Sequence, residues 1–306
     1  MYHLSLSHAL TTAMSRLRTD LEQTAPTMAG PVLNWIETLA GTAQPEDYFK
    51  HPVAFPSLLL PWWLDETIRP EPDLTFHTDL AYSTINGYYF IRLIDNLMDR
   101  QATVELDLLP ATGFFHTQFQ LVYQYYFEYD HPFWHDFRRY WFESAEAALQ
   151  DAQLADLDEA RFRRVAARKV CAGKIPLAAV CCRAERLDLI EPWFHFFDRL
   201  GAWHQLFNDL FDWHTDLERR HQTYFLSEAN RRKRAEEPVA AWVIREGFEW
   251  GAETLQTWLA ELKELASPLN NPNLVAYLNR RDDMLLKQKA DVAEGLRHLN
   301  RILQRL

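Results

Sequence analysis

Two stretches of the chain place side-chain oxygens at a spacing suited to a hard metal ion. The first is Tyr88-Tyr89-Phe90-Ile91-Arg92-Leu93-Ile94-Asp95-Asn96-Leu97-Met98-Asp99. The second is Gln205-Leu206-Phe207-Asn208-Asp209-Leu210-Phe211-Asp212-Trp213-His214-Thr215-Asp216. Each helical residue advances about 100°, so Asp95 and Asp99 share one face. Asn208, Asp212 and Asp216 fall within an arc of roughly 80°, with Asp209 near its edge. Mg²⁺ takes carboxylate and amide oxygens and keeps positions open for water and substrate phosphates. Two such faces turned toward each other would hold a metal cluster that grips a diphosphate. Acidic rows are also common on solvated helix faces. Here they sit among Tyr, Phe, Ile, Leu, Met and Trp, where an uncompensated charge is costly.

A diphosphate also needs cationic donors. Arg92 lies about 60° from Asp95 by helical period, which puts it on the same side of its helix. A competing metal reading is weaker. His131 and His135 are four apart, but Pro132 interrupts them. A di-iron bundle would need two Glu-x-x-His repeats on inward helical faces. Glu128…His131 runs into Pro132, and Glu218…His221 lies in the charged run Glu218-Arg219-Arg220-His221.

The elements that must position these residues read as helices. Apolar residues recur at helical period over 9–21, 115–127, 137–149 and 285–303, while β-branched alternating runs are nearly absent. About ten or more helices and no sheet are expected. Breaks are expected at Thr24–Pro31, Pro61, Pro70–Pro72, Pro110, Asp130–Pro132, Pro192, Pro238 and Ser267–Pro272. No flexible linker or internal repeat divides the chain, so residues 1–306 read as a single all-α domain.

Composition narrows the function. A net charge of −11 argues against nucleic acid, whose phosphates select basic surfaces. The basic run Arg231-Arg232-Lys233-Arg234 is followed by Glu236-Glu237 and reads first as a solvated loop. No signal sequence is evident, and the apolar run 55–64 is too short and too rich in proline to span a bilayer. Cys171, Cys181 and Cys182 have neither disulfide-framework nor zinc spacing and read as small core residues. A cytoplasmic protein is expected. Aromatic residues make up 14% of the chain. Phe115, Phe119, Tyr123 and Tyr126, like Trp203 and Phe207, recur at helical spacing. Such stripes are usually core, and a few rings could line a pocket for a carbocation.

The segment 88–99 resembles the first aspartate-rich motif of squalene and phytoene synthases at Tyr88, Arg92, Asp95 and Asp99. Residues 200–226 resemble their second motif at Leu200, Gly201, Gln205, Leu206, Asn208, Asp212, Asp216 and Arg219. The same stretch is similar to the asparagine-containing metal triad of class I terpene cyclases and to the second motif of chain-elongating prenyl transferases. Ala172-Gly173-Lys174-Ile175-Pro176-Leu177-Ala178 looks like the lysine-bearing helix of the elongating enzymes. Arg220-His221 stands where squalene and phytoene synthases usually have Gly-Arg. Ile94-Asp95 and Asn208-Asp209 stand where elongating enzymes have double aspartates.

The resemblance implies the class I isoprenoid synthase fold. It also implies a cluster of up to three Mg²⁺ ions on Asp95, Asp99, Asn208, Asp212 and Asp216. Arg92, Lys174, Arg219 and Arg220 would bind the diphosphate, with His221 a weaker candidate. The expected activity is that of a Mg²⁺-dependent terpene synthase ionising a prenyl diphosphate. The alternatives are a head-to-head prenyl transferase and a catalytically silent prenyl-binding protein. A homodimer stays open.

Overall fold

A computed structural model of the protein describes residues 3–98, 104–151 and 156–303. Among the described residues there are helices and turns and no strand, as the periodicity predicts. The α-helices are α1 (Leu4–Thr24), α2 (Pro26–Ala40), α3 (Glu46–Lys50), α4 (Leu59–Ile68) and α5 (Leu74–Met98). They continue with α6 (Ala111–Leu121), α7 (Phe133–Asp151), α8 (Glu159–Lys169), α9 (Lys174–Arg183) and α10 (Ile190–Phe211). The last five are α11 (Trp213–Arg219), α12 (Tyr224–Arg232), α13 (Val239–Trp242), α14 (Phe248–Ala266) and α15 (Pro272–Leu303). Among the described residues, no helix is long and apolar enough to cross a membrane.

The expected breaks fall where one helix gives way to the next, with proline at or near the new start. Pro26 and Pro272 open α2 and α15, and Pro61 and Pro192 sit in the first turns of α4 and α10. Proline is tolerated there because the first amides have no helical acceptor. Within Thr24–Pro31 the break comes at Ala25, and Pro31 lies inside α2. Pro31 and Thr27 are both exposed, which lets water take the carbonyl that proline leaves unbonded. The helix expected over 115–127 also differs. It stops at Leu121 and tightens into a 3₁₀ turn, Val122–Tyr125. There Tyr126 donates its hydroxyl to Asp79 at 2.5 Å, and Phe127 stacks on Phe133 at 4.2 Å.

The chain gathers into two compact units. One comprises Met1–Asp136 and Pro176–Leu187, the other Phe137–Ile175 and Asp188–Leu306. In the first, α5 packs against α1 and α6. Ala81, Ile85, Tyr89 and Leu93 recur every four residues and are buried with Leu10, Leu17 and Leu21 of α1 and Phe115 of α6. Tyr88, Arg92 and Asp95 lie off the edge of that stripe and are half-buried.

In the second unit α10 packs against α8 and α14. Its large apolar residues, among them Trp193, Phe197, Trp203, Leu206 and Phe207, are buried. Each contributes about 1.5–3 kcal/mol on leaving water. Trp203 donates its indole N–H to the Leu255 carbonyl at 3.0 Å, which ties α10 to α14. The helices approach closely because glycine stands at two contacts. A β-carbon on Gly201 would lie 2.6 Å from Val170 Cγ2, and one on Gly251 would lie 2.7 Å from Leu210 Cδ1.

Gly201→Val should therefore destabilise the protein by about 1–3 kcal/mol, the usual cost of overpacking. Val170→Ala in the same chain should recover part of the loss. Denaturant titration of the single and double variants measures both effects, and equal loss in the two would rule out this contact as the cause.

Candidate functional site

The second aspartate-rich stretch is built on α10 and α11. Its expected continuous helix is interrupted. α10 ends at Phe211, Asp212 takes φ −101° and ψ 5°, and α11 starts at Trp213. The one-turn spacing survives the break. The Asp212 N–H reaches the Asn208 carbonyl at 2.8 Å, and the Asp216 N–H reaches the Asp212 carbonyl at 3.1 Å. Asn208 and Asp212 are exposed and Asp216 is half-buried, so all three present oxygens toward solvent.

Asp209 meets a different fate. It is 2% exposed and accepts a hydrogen bond from Gln205 Nε2 at 2.8 Å. Both side chains line a small cleft with Lys169, His221 and Gln222, off the exposed ligand row. One step of 100° separates Asn208 from Asp209, and packing of α10 decides which is solvated.

The electrostatics of the row favour a cation. Partial burial, and then the neighbouring charge of Asp216, push the Asp212 carboxyl above its ordinary range. His221 Nδ1 stands 3.5 Å from Asp216 Oδ1. One amide and two carboxylates fit a Mg²⁺ ion that fills its remaining positions with water and phosphate oxygens. Among the described residues, no group of three or more His, Cys, Asp and Glu side chains gathers as a metal site. His131 Nδ1, of the weaker metal reading, accepts the Phe133 N–H at 3.1 Å, at the start of α7.

The first stretch ends α5. Arg92 and Asp95 are half-buried, and Asp99 lies outside the described residues. Tyr88, one turn before Arg92, donates its hydroxyl to Tyr48 at 2.6 Å and packs edge-on to Phe49. Burial, and then Tyr48, push its phenol well above the ordinary range.

The expected diphosphate donors differ in surroundings. Arg219 is exposed in the last turn of α11. Arg220 is exposed at the left-handed cap with φ 56°, a conformation more often taken by glycine. Lys174 begins α9, is buried, and pairs with Asp198 of α10 at 2.6 Å. The basic run begins in the last turn of α12, where its charge is compensated locally. Arg231 and Arg232 both pair with Glu228, Arg231 also pairs with Asp156, and Arg232 covers the Trp250 ring. The run is expected to be a solvated loop; Arg231 and Arg232 instead end α12, and Lys233 is its cap.

Two residues of this unit lie outside both motifs. Asp198 could have been noticed as an acid directly after Phe196-Phe197, ten residues before Asn208. His204 carried no signal, because its character comes from α15. Burial, and then the buried Arg281, depress its imidazole to about 3. Cys171 is buried with its Sγ donating to the Tyr140 carbonyl at 3.1 Å, and burial pushes its thiol up to about 12. Cys171 and Cys181 are buried as expected, Cys182 only partly, and none of the three is in a disulfide.

No protein-family model and no curated protein sequence matches the chain. Solved structures do. A geranylgeranyl pyrophosphate synthetase from the archaeon Geoglobus acetivorans superposes with a TM-score of 0.63 at 15% identity, over 93% of this chain and 99% of its own. A second geranylgeranyl pyrophosphate synthase gives 0.63 at 15% identity, over 95% and 99%. At that identity the likeness is one of fold. The chain shares the all-α fold of these two structures, the fold that its two motifs imply.

His204 sets a pH dependence. Its folded imidazole is depressed below the unfolded value of 6.5, so the unfolded chain binds a proton that the folded chain refuses. The stabilisation is full above pH 6.5 and is lost as pH falls from there toward about 3. His204→Gln should flatten the decline in stability across that window. Denaturant midpoints at stepped pH test this, and an unchanged slope would remove His204 as its source.

Proposed function

We propose that this protein is a Mg²⁺-dependent class I terpene synthase, which ionises a prenyl diphosphate and directs the carbocation to a terpene product. The observation that carries the reading is the row Asn208, Asp212, Asp216, kept at one-turn spacing across a helix break in an isoprenoid-synthase fold. The reading treats residues 1–306 as one synthase-like domain, consistent with superposition over 93% of the chain.

In this reading Asn208, Asp212 and Asp216 hold metal with Asp95 and Asp99, in a cluster of up to three ions. Bound Mg²⁺ supplies Lewis-acid neutralisation of the departing diphosphate. Arg92, Arg219 and Arg220 donate hydrogen bonds to phosphate oxygens, and Lys174 is the fourth donor. Their charge stabilises the leaving group most as negative charge develops on it. Aromatic faces stabilise a carbocation by their quadrupoles and exclude water that would quench it.

A second reading is prenyl transfer. It is favoured by the two solved structures, both named as geranylgeranyl pyrophosphate synthases. The asparagine at 208, and Ile94-Asp95 and Asn208-Asp209 where both elongating motifs open on a double aspartate, favour the first reading over chain elongation.

Incubation with C10, C15 and C20 prenyl diphosphates plus Mg²⁺ should release diphosphate and yield a product with the substrate's carbon number. A product carrying two chains, read by mass spectrometry, would move the assignment to a transferase. Absence of turnover with every prenyl diphosphate would leave a silent binding protein.

Asp95→Asn and Asn208→Leu should each lower diphosphate release by about a hundredfold or more, roughly 3 kcal/mol, through lost metal stabilisation. Circular dichroism should show an intact fold. Wild-type turnover in either variant would refute the metal assignment.

A further inference from the structure

Lys174 is the buried cation that the lysine-bearing helix offers to a diphosphate, and its partner is another residue of the same unit. Its ammonium sits 2.6 Å from Asp198 Oδ1, with the lysine side chain 10% exposed and the aspartate side chain 33% exposed. The ring centroids of Tyr140 and Phe194 lie 5.5 Å and 5.3 Å from Nζ. Asp198 and Asn208 are ten residues apart on α10, about 15 Å along its axis at 1.5 Å per residue. While Lys174 holds Asp198, its charge is neutralised well below the oxygen row.

We propose that Asp198 is a positioning residue that holds Lys174 in reserve and surrenders it to an incoming diphosphate. This rests on the function proposed above. A buried ammonium is costly without an anion, so Lys174 cannot simply be left uncompensated before substrate arrives. A diphosphate can replace the carboxylate as its partner, and the exchange swaps one charge-assisted hydrogen bond for another. Tyr140 and Phe194 add cation–π attraction, which persists while the carboxylate lets go.

The carboxylate is the weaker side of the pair. Burial, outweighing the pull of Lys174, leaves the Asp198 carboxyl above its ordinary range. Its neighbours add both signs of charge, with His195 favouring the carboxylate and Glu143 opposing it. Glu143 is itself engaged by Arg168 at 3.0 Å. Lys174 thus has a partner that fills its need for an anion without a large gain from the burial.

The opposing view is a fixed anchor between the start of α9 and α10. Binding of inorganic pyrophosphate separates the two, since an anchor has no reason to compete with it. Calorimetric titration of the full chain, with and without Mg²⁺, should show Asp198→Asn binding pyrophosphate about tenfold more tightly than wild type, within the usual range for coupled sites. The gain should vanish in Asp198→Asn/Lys174→Gln. On the wild-type chain, carbodiimide labelling read by mass spectrometry should show Asp198 becoming more reactive when pyrophosphate is added. That measurement needs no substitution and stands if Asp198→Asn does not fold.

Equal or weaker pyrophosphate binding by Asp198→Asn, or unchanged Asp198 labelling while pyrophosphate binds, would overturn the proposal and leave prenyl-diphosphate turnover intact. A tenfold gain in a protein that turns over no prenyl diphosphate would uphold the exchange and sink the function. Absence of pyrophosphate binding in both wild type and variant would sink both.

Discussion

The close seating of α10 between α8 and α14 is the constraint from which the second unit takes its shape. The large apolar side chains of α10 are buried where it packs on α8 and α14. Gly201 and Gly251 admit the neighbouring helices to distances that a β-carbon would forbid. The rotation of α10 about its axis is therefore held within narrow limits. Asn208 is solvated and Asp209 is buried because of that rotation, although the two are adjacent in sequence.

Electrostatics then act on what packing has exposed. The last carbonyls of α10 concentrate negative partial charge at the helix end, where Asp212 already stands near Asp216. Each contribution disfavours a further carboxylate and favours a cation. The break at Asp212 keeps the two backbone hydrogen bonds that space the row, so it bends the ligand set without scattering it. A straight helix would present the same residues on a slowly rotating stripe.

The unit's cations fall into two groups. Arg163, Arg168, Arg231, Arg232 and Arg245 are engaged by carboxylates and serve to compensate an acidic chain. Arg219 and Arg220 remain exposed close to the oxygen row. Lys174 belongs to neither group, being buried, caged by rings and tied to a carboxylate that burial itself opposes. Its charge is available only by exchange.

The sequence by itself determined the all-helical construction, because apolar period and scarcity of strand patterns are local properties that tertiary contacts did not override. It determined the spacing of Asn208, Asp212 and Asp216 for the same reason, since one-turn spacing follows from chain geometry alone. Proline marked the breaks between helices, because its missing N–H is harmless in a first turn. Only tertiary structure decided that Asp209 leaves the row, that Asp198 takes Lys174, and that His204 refuses a proton beside Arg281. Each of these depends on which residue of a distant segment arrives at a given helix face, and that follows from packing among helices rather than from spacing along any one of them.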